Sequence, residues 1–377
     1  MKKKNIILNT ILTICLLTGC ATKAQKSAAS TVADSYSNTS MEEVFDTVFS
    51  FKEYTTNKEL AASHFKTSEK QLQNYTQLFD IYNTYDGINN LKTINDNAGI
   101  KPVEVDPVII SLLKEAKNFY EWSNGEFDIT IGALLKVWHT YREEGIALNE
   151  EGKLGKVPSK EELEKAAKNK GWEYVEIDDK ANTVYITNPD VSLDVGGIAK
   201  GYATELCAKT MQDTGMTSGI LNVGRNIRLL GEKKDGNWSV GITDPEGKYA
   251  NGLVVLSFSN AESIVTSGDY ERYYKAEDGN IYPHIVDPST MYPARYYRSV
   301  SILTEDSGAA DCLSTALFTM SIEDGKKLLQ TYTEKTGNPA EAIWIVEKDK
   351  TQNEKYKTVG DYNVIYTDGL EDKILWN

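Results

Sequence analysis

The sequence predicts an α+β fold, a single large domain over residues 42–377 with mostly antiparallel sheet and flanking helices. Three observations carry that expectation. Helical apolar patterns dominate the chain up to Gly171. Short β-rich runs then follow, divided by turn signals and with few strand–helix alternations. No linker-like break interrupts a stretch roughly twice the length usual for one domain.

The first predicted element is a strand from Val44 to Phe51. A helix follows with Leu72, Tyr75, Phe79 and Tyr82 on one face, and the chain from Tyr82 to Asn90 reads as a loop. Asp106 and Pro107 supply an N-cap and first helical position, and Ile109, Leu112, Leu113, Ala116, Phe119 and Tyr120 an apolar stripe that Asn124-Gly125 ends. Another helix runs through Leu134 to Tyr141. Ser159 and Glu162 form a capping box for a polar helix that Gly171 closes. Strands are then expected at Tyr174–Ile177, Thr183–Thr187, Val191–Val195, Gly219–Val223, Ile227–Gly231, Trp238–Thr243, Leu253–Ser259 and Ser299–Leu303. A helix spans about Ile198 to Asp213, and further helices start near Gly308.

Lys2, Lys3 and Lys4 precede an apolar run from Ile6 to Leu17 that stops at Leu17-Thr18-Gly19-Cys20, which reads as a secretory signal over residues 1–19. The run is shorter than the about 20 residues a membrane span needs. Its ending resembles a bacterial lipobox, which makes Cys20 the expected site of lipidation and puts the chain on the extracytoplasmic face of a bacterial membrane. Residues 20–41, rich in Ala, Ser and Thr without a periodic apolar face, read as a tether.

Once the signal's three lysines are set aside, 38 basic residues face 55 acidic ones, a net charge of −17. That balance disfavours nucleic acid or an anionic lipid surface as partners. Cys207 and Cys312 lie in helical apolar contexts and read as buried thiols. His64, His139 and His284 are the only histidines, and no Cys/His zinc spacing occurs.

Three distant segments carry chemistry. Asp194-Val195-Gly196-Gly197-Ile198-Ala199-Lys200-Gly201 reads as strand, tight turn and helix, offering N–H groups and the Lys200 charge to an anion without matching a Rossmann or P-loop fingerprint. Ala310-Asp311-Cys312-Leu313-Ser314-Thr315 puts Asp311 and Thr315 on one helical face, an oxygen pair that suits Mg²⁺. His284, between Pro283 and Ile285 and just ahead of Asp287-Pro288, sits at a strand-to-turn junction where an imidazole can take up a proton. His64 and His139 are assigned packing or surface roles.

These segments, with Phe127-Asp128-Ile129-Thr130 and Gly132, Asn222-x-Gly224 and Thr266-Ser267-Gly268-Asp269-Tyr270, occur in the order seen in the ApbE family, the FAD:protein FMN transferases. The resemblance covers essentially the whole domain after the tether. It implies a lipid-anchored enzyme that binds FAD and Mg²⁺ and joins the FMN half to a threonine or serine hydroxyl of an acceptor protein, releasing AMP. The acceptor would be a membrane redox subunit or an exported flavoprotein. Carried over by position, the resemblance makes the Gly197 carbonyl, Asp311 and Thr315 the metal ligands. FAD contacts would be Phe45, Tyr85, Glu126, Phe127, Asp128, Asp194, Lys200 and Ile285. His284 would be the general base and, with Asp311, catalytic. Arg225 and Met291 stand where relatives carry glycine, which bears on the shape of two loops. Two other functions use the same features: an FAD pyrophosphatase with water as acceptor, and a lipid-anchored flavin-binding protein without chemistry.

Overall fold

The computed structural model describes residues 34–233, 235–350 and 354–376. The expected signal over residues 1–19 and the expected lipidation site Cys20 lie outside the described residues. The helices are α1 (Lys58–Leu78), α2 (Leu91–Asp96), α3 (Pro107–Trp122), α4 (Gly132–Glu150), α5 (Lys160–Ala167), α6 (Ala199–Asp213), α7 (Ser307–Thr319) and α8 (Ile322–Thr336). The strands are β1 (Ser35–Thr39), β2 (Phe49–Tyr54), β3 (Val103–Glu104), β4 (Val175–Asp178), β5 (Thr183–Ile186), β6 (Gly219–Val223), β7 (Asn226–Leu230), β8 (Trp238–Ile242), β9 (Val254–Phe258), β10 (Ser263–Gly268), β11 (Tyr273–Lys275), β12 (Ile281–Pro283), β13 (Ser299–Thr304), β14 (Ala340–Glu347), β15 (Tyr356–Val359), β16 (Tyr362–Tyr366) and β17 (Ile374–Leu375).

A nine-stranded sheet in the order β1-β2-β6-β7-β10-β13-β14-β16-β15 organises the fold, and each neighbouring pair in it is antiparallel. Its strand β13 is buried at every position, as a strand covered on both faces must be. Helices α1, α3, α6, α7 and α8 cover one face through a core that includes Phe65, Leu113, Phe119, Cys312, Leu328 and Trp344. The small sheet β17-β9-β8 packs Trp238, Leu256 and Phe258 with Ile345 and Val364 in a second cluster. A third cluster joins α4 to β11 and β12 through Leu134, Trp138, Tyr274, Tyr282 and Val286. The α+β, antiparallel expectation holds.

Several boundaries differ from the sequence reading. The tether was expected to reach residue 41, yet Ser35–Thr39 forms β1, pairing with β2 from Ser35↔Tyr54 to Thr39↔Ser50. A polar edge strand needs no buried apolar face, so composition alone does not reveal it. The strand expected from Val44 begins only at Phe49, because Phe45 and Asp46 take left-handed φ of 51° and 56° and turn the chain between Val44 and Thr47. Helix α1 stops before Tyr82, where the Asp80 carboxylate accepts from Tyr82 N and Asn83 N at 2.6 and 3.0 Å.

Val191–Val195 forms no strand. The Asn95 side chain binds both backbone groups of Leu193, at 2.8 and 2.9 Å, and so occupies the pairing a neighbour would need. The reading also stopped its strands at Leu303, whereas β14, β16 and β15 complete one side of the sheet. Cys207 and Cys312 are free and buried.

One buried ion pair fastens the layers behind the site. Arg228 of β7 donates to Glu205 of α6 at 2.8 Å, and Glu205 also accepts from Ser307 N at the start of α7, at 3.0 Å. Arg228 and Glu205 are 3% and 4% exposed, so removing one leaves the other's charge uncompensated out of water. Arg228→Ala is therefore expected to lower folding stability by about 3–5 kcal/mol, read as a shift in the urea midpoint; an unchanged midpoint would show the pair to be idle.

Candidate active site

The site forms where α6 and α7 meet. No side chain of the Ile198 cap bonds the start of α6. Instead Asp311, one turn into α7, accepts from Gly201 N at 2.8 Å and caps α6 from the neighbouring helix. The approach requires glycine at 201, since a Cβ there would lie 2.2 Å from Ser307 O and 2.6 Å from Asp311 Cβ. The anion expected at this helix start is thus partly supplied by the chain itself. Burial pushes the Asp311 carboxyl upward, against the opposing pull of the Lys200 charge and the Gly201 N–H.

Thr315 lies one turn beyond Asp311 on the same helix. Helical threonines elsewhere, such as Thr204, Thr210, Thr331 and Thr333, donate to the carbonyl one turn back at 2.7–3.0 Å. Thr315 makes no such bond among the described residues, and its Oγ1 would be 3.2 Å from a Cβ placed on Gly197. The Phe127 ring closes the same spot, with Cε2 at 3.1 Å from that position. Gly197 thus rests against Thr315, which follows Asp311 by one helical turn, and the three have main chain, a hydroxyl and a carboxylate to offer. Among the described residues no three His, Cys, Asp or Glu side chains gather as a ligand set. A sparse oxygen set of this kind fits Mg²⁺, which keeps waters and takes other ligands from substrate phosphates.

Asp194 is half-buried, with Gly196 N donating to it at 2.8 Å. Burial raises its carboxyl above the ordinary value, while that N–H and the charges of Arg142 and Lys200 pull it down. His284 follows β12, and its Nδ1 is buried without a partner. Burial first, then Arg142, Arg272 and Lys200, depress its pKa to about 3. The ring is therefore neutral at pH 7 and open to accept a proton. Asp287, three residues on, fixes the loop by accepting from Ser289 N at 2.7 Å and Tyr296 Oη at 3.0 Å.

Other sequence-predicted residues have partners of their own. Phe45 stacks on Phe79 at 6.5 Å, and its neighbour Asp46 lies 4.0 Å from Arg272. Tyr85 sits in a tight turn, its hydroxyl donating to Asp80 at 2.7 Å. Asp128 is engaged internally, accepting from Thr130 N and Oγ1 at 2.8 and 2.6 Å. Glu126 accepts from Thr319 Oγ1 at 3.4 Å, and Ile285 is packed in the main core. Arg225 and Met291 keep left-handed backbone, φ 73° and 66°, so both loops retain the shape that glycine would adopt without strain.

Sequence reasoning missed the cations. Arg142 and Arg272 come from α4 and the loop ahead of β11, outside every motif, and His139 belongs to the cluster rather than to packing alone, its ring 5.0 Å from that of Tyr82. A basic residue one helical turn from a histidine is too common a pattern to single these out. His64 does have the structural role expected, buried against Glu53 at 2.8 Å.

Two measurements check this geometry. Because the folded pKa of His284 lies below its ordinary 6.5, the unfolded chain takes up the proton first as pH falls, and stability drains between about 6.5 and 3. The His284 ring resonances are expected to stay those of a neutral imidazole at pH 5; titration near 6.5 would refute the buried, cation-flanked placement. Gly201→Ala should cost about 1–3 kcal/mol by overpacking the α6–α7 contact, seen in denaturant unfolding, and a variant as stable as the parent would show that the helices can part freely.

The sequence profile of the ApbE family matches residues 45–338. The FAD:protein FMN transferase of Treponema pallidum is 32% identical over 257 residues, 64% of this chain and 68% of that one. That of Vibrio cholerae is 28% identical over 272 residues, 72% of this chain and 76% of its own. Among solved structures, the ApbE protein of Thermotoga maritima superposes with a TM-score of 0.68 at 31% identity, covering 82% of this chain and 94% of that one. Flavin transferase ApbE from Vibrio cholerae gives a TM-score of 0.68 at 22% identity, over 90% and 99%, a likeness of fold. With the profile spanning most of the chain, the chain belongs to the ApbE family.

Proposed function

We propose that this chain is an FAD:protein FMN transferase, as its relatives are named, and that a threonine or serine hydroxyl of an acceptor protein receives the FMN while AMP departs. The observation that carries this reading is the meeting of Asp311, Thr315 and Gly197 beside Lys200, with a neutral imidazole in the same electrostatic neighbourhood. Asp311, the Thr315 hydroxyl and the Gly197 carbonyl would hold Mg²⁺. When bound, that cation supplies charge neutralisation for the diphosphate and the departing phosphate.

The chain's own groups do the rest. Lys200 adds a positive charge toward the diphosphate from the first turn of α6. The free Nδ1 of His284 takes the proton of the attacking hydroxyl. As that O–H bond breaks, the oxygen bonds the FMN phosphorus, and the P–O bond to AMP breaks with its electron pair leaving on AMP. Phe127 shields the Gly197 turn from water, and the Phe45 and Tyr85 rings offer faces on which an aromatic heterocycle can stack.

The N-terminal signal, Leu17-Thr18-Gly19-Cys20, supports a further part of the proposal: lipidation of Cys20 and attachment to the extracytoplasmic face of the membrane. Acceptors would then be membrane redox subunits or exported flavoproteins.

Incubation with FAD, Mg²⁺ and an acceptor carrying a modifiable threonine should yield a fluorescent acceptor band stable in denaturing gels, and AMP. FMN released at one rate with or without acceptor would point instead to hydrolysis. Asp311→Ala should remove activity together with its Mg²⁺ dependence. His284→Ala should lower kcat roughly 10²–10⁴-fold with little change in FAD affinity, and an unaltered kcat would acquit the ring. Cys20→Ala should move the chain from the membrane fraction to the soluble one; continued membrane retention would argue against the lipid anchor.

A further inference from the structure

Arg142 is a part-buried cation whose hydrogen-bond partners do not match its charge. Its side chain is 11% exposed, and its Nε is buried with no hydrogen-bond partner. Its Nη2 donates to His139 Nδ1 at 2.7 Å. The carboxylate in range, Glu143, stands 3.6 Å from Nε and is itself 58% exposed. The other buried guanidiniums are differently placed: Arg228 donates twice to Glu205, and Arg298 donates to Asp269 at 2.8 and 3.0 Å. Taking a guanidinium out of water against a neutral ring is costly unless an anion completes it.

The hydrogen bond also fixes the state of His139. To accept at Nδ1 the ring must be neutral with its proton on Nε2, so it orients the guanidinium without competing for an anion. Arg142 lies in the field of Asp194 and Arg272, and with Arg272 and Lys200 it acts on His284. Lys200 in turn acts on Asp311.

We propose that Arg142, oriented by His139, is a phosphate receptor that takes an anionic oxygen of the diphosphate of FAD and retains the phosphate of AMP as it departs. This rests on the transferase reading for the identity of the ligand, though the receptor itself needs only a phosphate. The planar fork of arginine suits two oxygens of one phosphate, where a lysine would offer a point charge.

The test titrates the full chain with inorganic pyrophosphate, AMP, adenosine and riboflavin, with and without Mg²⁺, by calorimetry. Arg142→Gln should weaken pyrophosphate and AMP roughly 10- to 100-fold, the loss expected for charge-assisted hydrogen bonds, and leave adenosine and riboflavin unchanged. Arg142→Lys should fall between, and His139→Phe should weaken AMP while sparing adenosine. Equal AMP affinity in parent and Gln variant would overturn the proposal. So would a matching loss of adenosine binding, since that marks a collapsed pocket, or a parent chain that binds neither pyrophosphate nor AMP. No transfer step enters these titrations. A chain that fails to flavinylate any acceptor but loses AMP affinity in Arg142→Gln would sink the transferase reading and leave the receptor standing.

Discussion

The contact between Asp311 and Gly201 N–H holds the site together. It joins the second turn of α7 to the first turn of α6, and in doing so uses a single carboxylate both to satisfy a helix start and to present an oxygen donor. The absence of a side chain at residue 201 lets the helices approach until Asp311 reaches the amide. Every other group of the centre is placed relative to this pair: Thr315 follows Asp311 by one helical turn, Lys200 precedes Gly201, and Gly197 rests against Thr315. Behind them, Glu205 binds Arg228 and Ser307 N, so the same two helices are tied again to the sheet.

Three cations, Arg142, Arg272 and Lys200, bear on His284, while Asp194 and Asp311 carry negative charge in the same centre and Asp46 lies 4.0 Å from Arg272. Burial first, and then these cations, hold the imidazole unprotonated. The cations that, with burial, keep the ring neutral would on the proposed reading also compensate the charge of a departing phosphate.

Much of this was legible in the sequence where the signal was local. Asp106-Pro107 capped α3, the spacing of Asp311 and Thr315 put them on one face, and Gly219–Val223 formed the strand its alternation indicated. Legibility failed where a distant partner decided the outcome. Leu193 has strand-like neighbours, but Asn95 claims its backbone from almost a hundred positions away. Arg142 and Arg272 reach the centre from separate elements, and nothing in their immediate sequence marks them. Arg225 and Met291 looked like departures in loop shape, yet both hold the glycine-like backbone, so the surrounding structure overrides their steric preference.

Strand β1 has a mechanical consequence. The chain enters the fold through Ser35–Thr39, hydrogen-bonded along five residue pairs to β2, before it turns through Ser40 and Phe45 toward the centre. A tug on the leading segment is met first by that interlocked ribbon at the edge of a nine-stranded sheet. Force applied upstream of Ser35 is thus spent on backbone pairing before it can displace Phe45.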